Sequence, residues 1–164
     1  MQVEFINPFV SAAKDVFQMM LGCELSRGSL GIKRGNAPEF EISGLIGLSG
    51  KCQGMVVFSL DRDTALMATE IMLGQRPEGL NAQVVDAVGE LANMIAGAAK
   101  AQLEQYELSV SLPSVICGRN HSISFPSNST PIVLPFQSKI GPVCIEVGMA
   151  KLVHDVAAKT MASR

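Results

Sequence analysis

The chain has 164 residues, of which 48% are hydrophobic, and its formal net charge is -2 at pH 7. A chain of this length can bury a core without disulfides or a structural metal, so we expect a single domain over residues 1–164. Its Lys and Arg residues are scattered, which gives no reason to expect nucleic acid or an anionic membrane as a partner.

Cysteine usage and the N-terminus indicate the cellular compartment. The four cysteines lie far apart and form no CxxC pair: Cys23, Cys52, Cys117 and Cys144. Such spacing is typical of buried, reduced thiols, and His121 and His154 are too isolated to complete a metal site, so none is predicted. The N-terminus is not a signal peptide, and no run reaches the roughly 20 apolar residues that cross a bilayer. We therefore expect a soluble, cytoplasmic protein.

The first predicted element is a helix in "NPFVSAAKDVFQMMLG". Asn7 is expected to cap its start, with Pro8 at the first helical position and Gly22 at its end. The segment from Glu24 to Ile32 then has the short, glycine-interrupted pattern of a strand that leads into a loop.

A hairpin and a second helix follow. The β-prone runs "EISGLIGLSG" and "KCQGMVVFSL" are joined by a Ser-Gly-Lys turn, which predicts an antiparallel hairpin. "DRDTALMATEIMLG" predicts a helix capped at Asp61 or Asp63 and ended by Gly74.

The second half repeats this order of helix, strand and hairpin. The longest predicted helix runs from about Asn81 to Gln105, followed by a strand in "YELSVSLPSVICG" that Pro113 interrupts. After a polar loop, "PIVLPFQSKIGPVCIEVGMAKL" predicts a second hairpin. The fold class is therefore α+β, with a largely antiparallel sheet built from two pseudo-repeated strand and hairpin units and covered by long helices.

Two features that resemble chemical motifs are better explained by structure. "GLIGLSGKC" lacks the spacing of a phosphate-binding loop, because Leu45 stands at the required glycine and Cys52 replaces the Ser or Thr. The segment is predicted to be a hairpin turn. His121 and His154 lie in polar segments and are interpreted as solvated surface residues.

The long helix carries an unusual polar face. At about 100° per residue, one side presents polar or small residues and the other side is apolar. The polar side comprises Asp86, Glu90, Asn93, Gly97, Lys100 and Glu104. The apolar side, predicted to pack on the sheet, comprises Val88, Leu91, Ala92, Ile95, Ala99 and Leu103.

Two interpretations of this face remain open on the residues alone. In the first, the face is simply a solvated surface. In the second, it is a docking surface on which Gly97 leaves room for a partner, although glycine lowers helix stability by up to about 1 kcal/mol relative to Ala. In the second case a carboxylate such as Glu90 would pair with a partner's cation. A carboxamide such as Asn93 can both donate to and accept from a water, and so orient it without exchanging a proton.

The residues Asp86, Glu90 and Asn93 give the chain a resemblance to the CheX-type branch of the CheC-like chemotaxis phosphatases. That family's signature is Asp or Ser, three residues, Glu, two residues, Asn and a later proline; here it reads "DAVGELAN", and Pro113 follows slightly early. The opening helix, the "GLSGKCQGMVVFSL" hairpin and the "MLGQRPEGL" linker extend the likeness over most of the chain.

The resemblance implies an enzyme of two-component signalling, a hydrolase that removes the phosphoryl group from the aspartate of a CheY-like receiver domain. Glu90 would form an ion pair with the receiver's lysine, Asn93 would align the attacking water, and Asp86 and Gly97 would belong to the docking surface. The chain would need no cofactor of its own, since the receiver supplies Mg²⁺. The resemblance also implies a homodimer joined through its sheets, to which the second hairpin could contribute an edge.

Two alternatives accompany this hypothesis. The chain could be a non-enzymatic receiver-binding or oligomerisation module related to flagellar switch proteins, although such relatives lack the Glu and the Asn. "EFIN" also repeats the spacing with Glu4 and Asn7, but capping explains Asn7, so one site per chain is expected.

Overall fold

The computed structural model describes residues 3–152. Its helices are α1, Ile6–Leu21; α2, Arg62–Leu73; and α3, Ala82–Ala101. The predicted caps are confirmed for α2, where the Asp61 side chain accepts a hydrogen bond from the Thr64 amide at 2.8 Å and Gly74 ends the helix in the left-handed conformation.

Eight strands form one antiparallel sheet. They are β1, Ser26–Arg27; β2, Gly31–Ile32; β3, Ile42–Ser49; β4, Cys52–Leu60; β5, Ser109–Val110; β6, Ser114–Cys117; β7, Ile132–Ser138; and β8, Gly141–Lys151. Both predicted hairpins, β3–β4 and β7–β8, are confirmed, and β5 and β6 lie on either side of Pro113 as expected. The observed fold class is the predicted one.

The sheet order reveals how the two halves combine. β4 and β8 pair at the centre, β3 and β7 flank them, and the short strands lie at the two edges. The short strands of each half pair with the hairpin of the other half: β1 and β2 pair with β7, while β5 and β6 pair with β3. The predicted pseudo-repeat is thus present as an approximate two-fold arrangement with exchanged edge strands.

All three helices contribute to the core on one face of this sheet. Inward residues alternate along the central strands, for example Val56, Phe58 and Leu60 of β4, because successive strand residues point to opposite faces. Gly44 of β3 lets α3 lie close to the sheet, since a Cβ there would be only 2.9 Å from the Cβ of Ala92.

The opposite face of the sheet carries buried polar groups. The hydroxyls of Ser43 and Ser59 lie 3.2 Å apart, and Lys33 Nζ lies 2.7 Å from the Glu146 carboxylate. Phe125, from the loop after β6, lies directly over Gly148 of β8. Loops therefore cover this face instead of helices, which is why it can hold an ion pair.

The predicted cap at Asn7 is wrong. A 3-10 turn at Val3–Phe5 leads directly into α1, which starts at Ile6 without a side-chain cap, and Asn7 lies exposed within the first turn. The burial of Phe5 and Ile6 brings these residues into the helical layer and moves the helix start ahead of the polar residue.

The end of the long helix is also earlier than predicted. α3 stops at Ala101, and Glu104 lies in a separate 3-10 turn, Glu104–Tyr106. The chain has to turn here because the Tyr106 carbonyl accepts a hydrogen bond from the Lys51 amide at 2.9 Å, which directs β5 to the edge of β3.

The burial of the cysteine and histidine side chains departs in part from the predictions. Cys23, Cys52 and Cys144 are buried, but Cys117 is exposed, because β6 is an edge strand that pairs only with β3. His121 is not a fully solvated residue, since both of its ring nitrogens are buried without a hydrogen-bond partner. His154 lies outside the described residues.

The second hairpin does not offer the expected free edge. β8 is central, and the outer side of β7 is paired with β1 and β2.

Between residues 3 and 152, no helix combines the length and the apolar character that a membrane crossing requires.

Candidate functional site

Helix α3 positions the residues that the sequence singled out. The Asn81 side chain caps the helix by accepting hydrogen bonds from the Gln83 amide at 3.0 Å and the Val84 amide at 3.3 Å. The predicted apolar side is buried in the core between α3, the sheet and α1: Val88, Leu91, Ala92, Ile95, Ala99 and the following Leu103. The opposite side of the helix therefore faces outward along its whole length.

This outward surface, formed by Asp86, Glu90, Asn93 and Gly97, is called the α3 ridge below. Asp86 and Glu90 are exposed, while Asn93 and Gly97 are half-buried. Within residues 3–152, the side chains of Glu90 and Asn93 have no hydrogen-bond or ion-pair partner. Both groups are therefore available to a molecule that approaches the ridge.

Gly97 keeps one end of the ridge low. Among residues 3–152, no atom beyond the adjacent helix backbone would lie within 4 Å of a Cβ built at this position, so packing within the described residues does not require glycine. Gly89, in the same helix, is different: its Cβ would contact Val115 Cγ2 at 3.5 Å and Pro113 Cγ at 3.6 Å. Pro113 thus lies against the turn of α3 that precedes Glu90, even though its spacing in the sequence is short.

A groove borders the ridge on the side of α2. Its volume is about 300 Å³, and it is lined by Met72 and Leu73 of α2 and by Gln83, Asp86, Ala87 and Glu90 of α3. No motif in the sequence predicted this groove. The sequence does contain a signal for it, the apolar run Ile71-Met72-Leu73 at the end of α2. Three consecutive helical residues cannot all point inward, so this run predicts an exposed apolar side chain.

A second, larger groove borders the other end of the ridge. Its volume is about 480 Å³, and Gly97, Lys100 and Glu104 line it together with residues of the β5 edge. Lys100 and Glu104 therefore remain beside the ridge, although Glu104 is no longer part of the helix.

The other Glu-x-x-Asn pair is placed differently. The Glu4 carboxylate accepts a hydrogen bond from the Tyr106 hydroxyl at 2.6 Å and lies 3.2 Å from Lys151 Nζ. The Tyr106 hydrogen bond, followed by that from Lys151, holds the pKa of Glu4 below its ordinary value. Glu4 thus links the N-terminal turn to the sheet, unlike Glu90, which has no such contacts.

The segment that resembles a phosphate-binding loop is the turn of the first hairpin. Lys51 follows the turn, and its ammonium group pairs with Glu107 at the protein surface. Cys52 is buried in β4. Across residues 3–152, no three His, Cys, Asp or Glu side chains are grouped so that they could hold a metal ion.

Comparison with known proteins assigns the family. The profile of the family described as chemotaxis phosphatase CheX matches residues 42–137, which is more than half of the chain and includes the α3 ridge. The chain belongs to the CheX family. It is therefore a phosphatase, a hydrolase, as the sequence predicts.

Individual relatives agree with this assignment. A CheC-like superfamily protein from Shewanella sp. PV-4 is 36% identical, with a TM-score of 0.84 over 92% of this chain and 99% of that one. The CheY-P phosphatase CheX of Thermotoga maritima is 25% identical over 126 residues, 75% of this chain and 81% of its own length. The complex of CheX with CheY, BeF₃ and Mg²⁺ from Borrelia burgdorferi shares the fold, with a TM-score of 0.77, 23% identity, and 92% and 100% coverage.

Proposed function

We propose that this CheX-family chain, as a single domain, hydrolyses the phosphoaspartate of a CheY-like receiver that docks on the α3 ridge. One observation carries the proposal: Glu90 and Asn93 stand one turn apart on an open ridge, and neither is engaged within the described chain. The names of the Thermotoga and Borrelia relatives, a CheY-P phosphatase and a CheX–CheY complex, support the choice of substrate.

In the reaction, a water oxygen attacks the phosphorus and the bond between phosphorus and the aspartyl oxygen breaks. The products are the receiver's free carboxylate and inorganic phosphate. Asn93 contributes position: its amide accepts from and donates to the water, so the water is held in line with the leaving oxygen. The amide takes up no proton, and the reaction depends on alignment and electrostatics.

Glu90 acts in docking. Its exposed carboxylate forms an ion pair with the receiver's active-site lysine, while Mg²⁺ enters as part of the receiver substrate. Asp86, one turn before Glu90, adds negative charge to the same surface. Gly97 leaves room for the receiver's backbone to approach Asn93, since no side chain rises there.

The central experiment measures phosphate release from a purified CheY-like receiver that has been phosphorylated with a small phosphodonor. We expect Asn93→Ala to lose most of the acceleration and still bind the receiver. Asn93→Gln keeps the amide but displaces it by one methylene, and misplacement by about 1 Å can cost a factor of about 100. Unchanged hydrolysis by Asn93→Ala would contradict the catalytic role.

The matched control is Asn7→Ala. Asn7 also follows a glutamate at the Glu-x-x-Asn spacing and is exposed on a helix. Asn7→Ala therefore tests whether this spacing is by itself sufficient for a contribution to phosphatase activity. We expect full activity, because Glu4 is held by Tyr106 and Lys151. A rate reduced by about half would indicate a second site instead.

The homodimer remains a prediction. The outer strands available for pairing between sheets are the short ones, β1 and β2 at one edge and β5 and β6 at the other. Sedimentation equilibrium tests it directly: a mass twice that of the 17.4 kDa chain is expected.

A further inference from the structure

The groove between α2 and α3 is continuous with the α3 ridge. Glu90 lines both, so a group that contacts the Glu90 carboxylate lies beside this groove of about 300 Å³. The α2 wall of this groove, Met72 and Leu73, is apolar. A ligand group next to a cation at Glu90 would thus meet an apolar surface rather than water.

Leu73 is the exposed part of that wall. It is 52% exposed, whereas Met72 is half-buried. Leu73 is the last residue of α2, and the chain leaves the helix immediately afterwards through Gly74, whose φ of 74° turns the backbone away. An apolar groove wall that stays exposed beside a polar rim is typical of a protein-interaction surface.

The charge of the rim identifies the kind of partner. Both titratable residues that line the groove, Asp86 and Glu90, are acidic and exposed. Such a rim attracts a cation and repels an anionic lipid surface. The fitting occupant is a protein surface on which an apolar side chain stands beside a lysine or arginine.

We propose that this groove receives an apolar side chain of the receiver, next to the lysine that pairs with Glu90, and that the contact determines which receivers bind. The inference rests on the proposed function, because it takes the receiver as the partner. Leu73 is accordingly a specificity residue: it contributes affinity and takes no part in the chemistry.

The test compares Leu73→Gln with Met19→Gln. Met19 is 68% exposed on α1, so both variants replace an exposed apolar helical residue by the same polar one. The probe is a CheY-like receiver held in its phosphorylated form by BeF₃ and Mg²⁺, and calorimetric titration gives Kd. We expect Leu73→Gln to raise Kd about five- to tenfold, as loss of an apolar interface contact does, and Met19→Gln to leave it unchanged.

Turnover separates this proposal from the catalytic one. At saturating phosphorylated receiver, Leu73→Gln is expected to keep the rate of phosphate release, whereas Asn93→Ala loses that rate with Kd retained. Repeating the titration with several receivers should show unequal losses, largest for receivers that present a large apolar side chain beside the lysine.

Specific outcomes would overturn the groove proposal. An unchanged Kd for Leu73→Gln, or an equal rise for Met19→Gln, refutes it without affecting the assignment of Asn93. So does a Leu73→Gln variant that changes the sedimentation mass and leaves receiver affinity intact, since the groove would then face a second copy of the chain. Hydrolysis by Asn93→Ala at the natural rate would instead refute the proposed function.

Discussion

Gly97→Ala separates the stability of the chain from its function. In a helix interior, Ala is favoured over Gly by about 0.5–1 kcal/mol. The new methyl group would have no atom of the described residues within 4 Å beyond the adjacent helix backbone, so no contact among these residues offsets this gain. For a chain of this size, 1 kcal/mol corresponds to a rise in Tm of about 2–4 °C.

The same methyl group stands on the α3 ridge, one turn beyond Asn93. If the receiver approaches this ridge closely, the methyl displaces it and misaligns the water. We expect the catalytic efficiency of Gly97→Ala toward phosphorylated receiver to fall about tenfold, in a protein that is more stable. Thermal unfolding and phosphate release, measured on the same preparation, give both quantities.

Gly89→Ala is the matched control. It lies in the same helix, but its Cβ would make ordinary contacts with Val115 at 3.5 Å and Pro113 at 3.6 Å. It is buried, so the variant is expected to gain similar stability and keep full activity. Equal activity of the two variants would refute the close approach of a receiver at Gly97, and an unchanged Tm for Gly97→Ala would refute the energetic argument.

Three further predictions concern the rest of the fold. Lys33→Met removes the partner of the buried Glu146 and should lower the free energy of unfolding, measured in urea, by about 3 kcal/mol or more. Adding Glu146→Leu to this variant should recover much of the lost stability. Burial already raises the pKa of Glu146, so the cost of Lys33→Met should shrink as pH falls and the carboxyl becomes protonated; a constant cost would contradict this. Gly44→Ala should lower the free energy of unfolding by about 1–3 kcal/mol, because the new Cβ would be 2.9 Å from that of Ala92. An unchanged midpoint of urea unfolding would contradict this. In native alkylation at pH 8, Cys117 should react first, detected by mass, and Cys117→Ser should remove that label.

Local signals in the sequence predicted the elements well. The Asp61 cap, the terminal glycines Gly22 and Gly74 and the turn of the first hairpin are all determined by a few neighbouring residues. The buried side of α3 followed from periodicity alone. The orientation of Glu90 and Asn93 was therefore predictable before any coordinates, although their roles came from the family resemblance.

Tertiary contacts determined what the sequence did not predict. Asn7 has the chemistry of a cap, but the burial of Phe5 and Ile6 started the helix earlier. The end of α3 was set by the pairing of the following chain with the sheet, which no local pattern encodes. The groove at Leu73 likewise depends on how two helices meet, and only the excess of apolar residues at the end of α2 indicated it.

The exchange of edge strands has a consequence for synthesis on the ribosome. Ser26 is synthesised long before its partner Gln137 of β7, and β4 must also wait for β8. Until then the apolar side of the first hairpin, including Phe58, has no complete sheet around it. Contacts so distant in sequence form late and leave hydrophobic surface exposed meanwhile. The sheet is therefore expected to be completed only once β8 has left the ribosome, and nascent chains stalled before residue 141 should bind general chaperones.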